Sequence, residues 1–184
     1  MNNQFEIKAD RLGALLSGAS VATSTDKRDI DTFKVINLRL ESGALRVAAT
    51  DRYIMARGTV SDFDTQLQGN AYLMPDTVKA ILAILKPLKD RVITVAYDQG
   101  FIVDGHKFEH LAIEYPDLDK VTPTEFAGVD SDGLIVDPKN LIRLCKATPA
   151  LIKWQFNGAH KAMFGTASNN GIEWQLMVMP CRAR

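Results

Sequence analysis

One unit, a strand, a helix and then three strands, is written three times along this chain at a period of about 60 residues. A single helix on a small sheet buries too little apolar surface to stand alone, so such units must share cores with one another. In the first unit Leu12, Leu15, Leu16 and Ala19 recur at helical spacing behind Asp10, which reads as the helix cap. From Phe33 the period falls to two, with Ile36, Leu38 and Leu40 alternating against Asn37, Arg39 and Glu41. The turn "ESGA", the run "LRVAAT" and a strand from Ile54 to Val60 complete that unit.

The second unit repeats the order. It has "NAYLM", then a helix with Val78, Ile81, Leu82 and Leu85 on one stripe, stopped by Pro87, then "RVITVAY", "FIVD" and "KFEHLAIE". A connector follows, "EYPDLDKVTP" at Glu114–Pro123, whose Pro and Asp around isolated apolar residues predict an ordered link. The third unit is "GLIVDPKNLIRLCKA", a strand entering a helix with Asp137 as cap and Pro138 in the first turn. The alternation of Ile152, Trp154 and Phe156 comes next, then "KAMFGTAS" and "IEWQLMVMP". The expected fold class is α+β: three strand-helix-three-strand repeats, helices on one face of antiparallel sheets.

Lys+Arg and Asp+Glu number 22 each, so only locally clustered charge can meet a nucleic acid. Such a cluster is found on the third helix, where Lys139, Arg143 and Lys146 fall opposite a stripe of Leu141, Leu144, Cys145 and Thr148. The second helix sets Lys79 and Lys86 on a flank, and the first offers only Ala14 and Ser17 to that side. Cys145 and Cys181 have no metal-type spacing and read as free thiols of a reducing compartment. His106 and His110, four apart on a strand, would stand about 13 Å from one another, too far for one metal. His160 has no partner in sequence, and there is no phosphate-binding Gly loop. The expectation is a non-enzyme without cofactor. No apolar run approaches a membrane span and the N-terminus has no signal-type apolar core, so a cytoplasmic location is expected.

Three strings in order, "RVAATDRYIMAR", "YPDLDKVTP" and "VMPCR", resemble motifs of the bacterial DNA polymerase III β subunit, the sliding clamp. By that resemblance residues 1–118 correspond to a complete two-repeat middle domain, 119–131 to an interdomain linker and 132–184 to half of the last domain. Clamps of this family are rings of twelve such units that hold a polymerase on duplex DNA without reading its sequence. The resemblance implies DNA-facing roles for Lys79, Lys86, Lys139, Arg143 and Lys146. It also implies an apolar pocket for polymerase and clamp-loader peptides carrying a Gln and a Leu/Phe pair, at or near Val35, Thr50, Arg52, Tyr53, Ile54, Met55, Pro116, Val121, Met177 and Met179. The family commonly has Gly-His-Arg where this chain has Arg52, Tyr53 and Ile54, so its peptide preference is expected to differ.

Three units per chain divide twelve four times, so a homotetrameric ring is expected, serving a phage or plasmid with its own replication machinery. The alternative is a clamp-fold decoy or adaptor that binds peptides and encircles no DNA.

Overall fold

The computed structural model describes residues 4–41, 43–61, 63, 68–97, 100–126, 134–158 and 160–181. The first repeat holds β1 (Gln4–Lys8), α1 (Ala9–Ser20), β2 (Ile36–Glu41), β3 (Ala44–Thr50) and β4 (Ile54–Val60). The second holds β5 (Gly69–Leu73), α2 (Pro75–Leu85), β6 (Val92–Tyr97), β7 (Phe101–Val103) and β8 (His106–Phe108). The third holds α3 (Pro138–Leu144), β9 (Lys153–Gln155), β10 (Met163–Asn169) and β11 (Ile172–Val178). All strand pairs are antiparallel, and the helices lie on one face of the sheets.

The first two repeats exchange their leading strands. β1 pairs with β6 of the second repeat, Ile7 opposite Ile93, and β5 pairs with β2 of the first, Leu73 opposite Ile36. The result is one four-stranded sheet, β1-β6-β7-β8, and one seven-stranded sheet, β5-β2-β3-β4-β11-β10-β9. One apolar core joins the stripe Leu12, Leu15 and Leu16 of α1 to Val78, Ile81 and Leu85 of α2. Neither repeat closes that core without the other's strand.

The third repeat joins through β4 and β11, in register from Ile54↔Val178 to Thr59↔Glu173. Trp174 sits opposite Gly58, and its buried ring also covers Gly18 of α1. A Cβ on Gly58 would lie 3.1 Å from the indole and one on Gly18 only 2.7 Å from its Cζ2, so both glycines make room for this ring.

Four local readings change. Asp10 is not the cap of α1: Lys8 stands there, and the first helical amides, of Ala9 and Asp10, donate to the carbonyls of Arg91 and Lys89 instead. The strand expected through "KFEHLAIE" ends at Phe108, where the chain leaves the sheet and Leu111 N–H donates to the Tyr72 carbonyl. The strand expected in "GLIVD" pairs with no strand among the described residues, although Cys181 N–H donates to Ile135 O at 2.7 Å. Cys145 leaves the apolar stripe and is exposed, because the helix tightens into a 3-10 turn at Cys145–Ala147 and the buried positions pass to Ala147 and Thr148. Asp137 does cap α3, its carboxylate accepting from Lys139 N–H at 2.8 Å.

Candidate functional site

The sharp turn between β3 and β4 is built by two short side chains. Thr50 Oγ1 donates to the Ile54 carbonyl (2.9 Å), and Asp51 Oδ1 accepts from the amides of Tyr53 and Ile54, each at 2.9 Å. The other oxygen of this buried carboxylate accepts from Arg143 Nη2, while Arg143 Nε donates to the Val21 carbonyl at 2.7 Å. A buried carboxylate needs such a partner. Arg143 therefore differs from the sequence reading: its guanidinium is engaged between α1, α3 and the turn and does not stand beside Lys139 and Lys146 as an open charge.

Arg52, at the tip of the turn, has φ of 80°, a left-handed backbone that a side chain makes costly. Its guanidinium lies 4.8 Å from the centroid of the Phe33 ring and reaches Asp29 Oδ1 at 2.5 Å. Asp29 in turn accepts from Ser24 Oγ. Arg52 thus fastens the 24–33 loop to the turn.

Along the other side runs the connector. Tyr115 stacks on Tyr72 with ring centroids 5.7 Å apart, and its burial pushes the phenol well above the usual tyrosine range. Arg57 donates to Asp119 Oδ1 at 2.7 Å and to Gln175 Oε1 at 3.1 Å, which ties the connector to both β4 and β11. Between turn, connector and the end of β11 opens a cleft of about 780 Å³. Beneath it Ala48, Met55, Leu118 and Met177 form a small apolar cluster with Tyr115 and Ala162 packed against it.

Of the ten pocket residues expected from sequence, Thr50, Arg52, Pro116, Val121, Met177 and Met179 line this cleft. Val35, just ahead of β2, and Ile54, at the start of β4, are buried, and Met55 lies in the cluster below. Tyr53 is exposed next to the cleft, its carbonyl accepting from Met179 N–H at 2.8 Å. Phe33, Leu118, Ala162 and Lys161 also line it and were missed. Leu118, an isolated apolar residue inside the connector, was the one readable signal among them. Methionines on such a surface adapt to varied apolar anchors. Among the described residues that line the cleft, Arg52, Lys120 and Lys161 are cationic and Glu125 is acidic.

On the helix face, Ala14, Ser17, Lys79, Ala80, Ala83 and Lys86 are exposed, as are Lys139 and Lys146. Lys79 pairs with Asp76 of its own helix at 3.0 Å. Among the described residues no group of three or more His, Cys, Asp or Glu could hold a metal ion, and no helix is long and apolar enough to cross a membrane. His106 is exposed, and His110 Nε2 lies 3.3 Å from the Tyr97 hydroxyl.

Strand-exchanged repeats with helices on one face define the DNA-clamp class of fold. Solved structures narrow it to the fold of the bacterial sliding clamp. The DNA polymerase III β subunit of Thermotoga maritima superposes with a TM-score of 0.83 at 15% identity, over 100% of this chain and 66% of that one. The Pseudomonas aeruginosa β subunit gives 0.83 at 13% identity, over 98% and 67% of the two chains. The sliding clamp of Bacillus subtilis gives 0.81 at 14%, over 98% and 64%. The chain has the sliding-clamp fold and spans about two thirds of the length of these relatives in fold. No protein-family model and no curated protein matches the sequence.

Proposed function

We propose that the chain is a sliding clamp: copies of it encircle duplex DNA as a processivity factor and recruit a polymerase and a clamp loader through the cleft. The observation that carries this reading is the convergence on one cleft of Thr50, Pro116 and Met179, from three strings far apart in sequence. The division into a two-repeat unit over 1–118, a connector over 119–131 and a half unit over 132–184 belongs to the same proposal. So do closure by four copies and a cytoplasmic place of work. Weak phosphate contacts from Lys86, Lys139 and Lys146 suit sliding, since they hold DNA without reading bases.

A peptide with a Gln and a Leu/Phe pair should bind the cleft at micromolar Kd, about −7 to −8 kcal/mol. Met179→Asp should weaken it by about 2 kcal/mol, roughly thirtyfold, since a carboxylate would be desolvated against Met177 and Val121. Titration calorimetry decides this. Absence of binding to every such peptide would remove the recruitment role. The engagement of Arg143 by Asp51 thins the basic helix face and is the one observation favouring the second reading, a peptide-binding decoy that encircles nothing.

A further inference from the structure

Inside this chain the first two repeats show how one repeat is completed by another. Each lends its leading strand to the edge of the other's second strand, β1 to β6 and β5 to β2. Their helices lie side by side and antiparallel: Ala9 and Asp10 share a cleft with Lys86 and Lys89, and Ser20 shares one with Pro75. Leu82 lines both clefts, and Lys79 the second of them. The arrangement is a local two-fold with two different sequences.

The third repeat has every half of that joint and none of its complements among the described residues. β9 is an outer edge of the seven-stranded sheet. Residues 134–137 precede α3 as β5 precedes α2, and their burial alternates as in a strand, with Leu134 and Val136 against the core and Ile135 outward. Matching the first-turn prolines, Pro138 on Pro75, sets Leu141 on Val78 and Leu144 on Ile81, which are core positions in both helices. It sets Ile142 on Lys79 and Cys145 on Leu82, the positions at the helix-helix clefts. Ile142 is 62% exposed and Cys145 is exposed. An apolar β-branched residue thus stands bare where the second repeat carries lysine.

We infer that the third repeat is completed by the third repeat of a second copy, across a true two-fold axis, with residues 134–137 of each copy added to the β9 edge of the other. The register follows from the internal joint. Leu73↔Ile36 and Ala71↔Leu38 become Val136 against Ile152 of the second copy and Leu134 against Trp154 of the second copy. Each seven-stranded sheet gains an eighth strand, which covers its open edge. Ile142 meets Cys145 of the second copy beside the axis, as the Gly13 position meets Leu82 inside the chain, and the two Cys145 thiols come within reach of one another. This deepens the clamp reading and rests on it only for the place of the joint in a ring; the pairing itself needs no DNA.

The intact chain is examined by light scattering after size exclusion over a range of concentrations, with a short bismaleimide as cross-linker. The expected result is an assembly of even number, cross-linked from Cys145 to Cys145 and not after Cys145→Ser. Ile142→Asp, at an exposed site, should weaken association at least tenfold and leave peptide affinity unchanged. A monomer at every concentration would overturn the inference, as would an assembly indifferent to Ile142→Asp and cross-linked through Cys181. A chain that assembles only with a different polypeptide supplying the missing repeat would overturn it too. In each of those cases retained peptide binding leaves the recruitment reading standing, whereas an intact joint without peptide binding defeats that reading alone.

Discussion

Repeats one and two, set beside repeat three, show what completion does for a small unit. In the first pair, helices of twelve and eleven residues bury full stripes and each leading strand is paired. In the third repeat the helix has seven residues, with Leu144 its one fully buried side chain, while Ile135, Ile142 and Leu151 are exposed. The sequence patterns of the three are alike. What differs is whether a neighbour covers the open strand edge and the helix flank.

The contrast can be broken most forcefully at the core. Leu15→Ala should cost about 2–5 kcal/mol in urea unfolding, because Leu15 is wholly buried within the shared core. Ile142→Ala should stay within about 0.5 kcal/mol in the dilute monomer. Equal costs would mean that the third repeat is as complete as the others.

Asp51→Ala comes next, at about 2–3 kcal/mol. It removes two turn hydrogen bonds and strands Arg143, whose side chain is 32% exposed and so loses less than a fully buried partner would. Amide exchange should rise in α3 more than in α2, since the Asp51–Arg143 pair ties α3 to the turn and to the end of α1 and does not touch α2. Equal rises would show that the pair does not set the third repeat apart.

Two glycines of α1 carry the same contrast at smaller scale. Gly13 faces the second repeat with ordinary room, its Cβ position 3.9 Å from Leu82, and Gly13→Ala should stabilise by up to about 1 kcal/mol. Gly18 faces the third, under the Trp174 ring, and Gly18→Ala should destabilise by about 1–2 kcal/mol. The same sign for both in thermal melts would erase the distinction between the two joints.

The smallest effect concerns DNA. Lys139→Ala with Lys146→Ala should lower the slope of log affinity against log salt by about two, and Lys79→Ala with Lys86→Ala by about one, since Lys79 already has Asp76. Fluorescence anisotropy with a duplex of arbitrary sequence reads both slopes. No change in either would take the helix face away from phosphate.

Much of the fold was legible because burial imposes its period on sequence. Leu12, Leu15 and Leu16 mark a helix, and Ile36, Leu38 and Leu40 a half-buried strand, wherever they occur. The strand exchange was not legible: alternation says which face of β1 is buried, not which strand lies beside it. Thr50, Pro116, Met177 and Met179 are named by the motif resemblance, and all four line the cleft. Phe33 closes a 3-10 turn ahead of β2 and Ala162 sits just ahead of β10, so strand alternation beginning at these residues gave no sign that they face the cleft, and the folded chain was needed to bring them in. Arg143 was misread for a similar reason, as a helical wheel groups it with Lys139 and Lys146 but cannot see Asp51, 92 residues away.

The ladder between β4 and β11 also has a mechanical meaning. Six facing residue pairs and the lodged Trp174 ring weld the first and third repeats into one plate, whereas the edge at β9 has only three residues to offer a neighbour. In the two-fold assembly inferred above, tension would concentrate at the short β9 seams, and the plates would part there before they tore. In that assembly the yielding place is therefore built into strand length, and lengthening β9 would stiffen the seam.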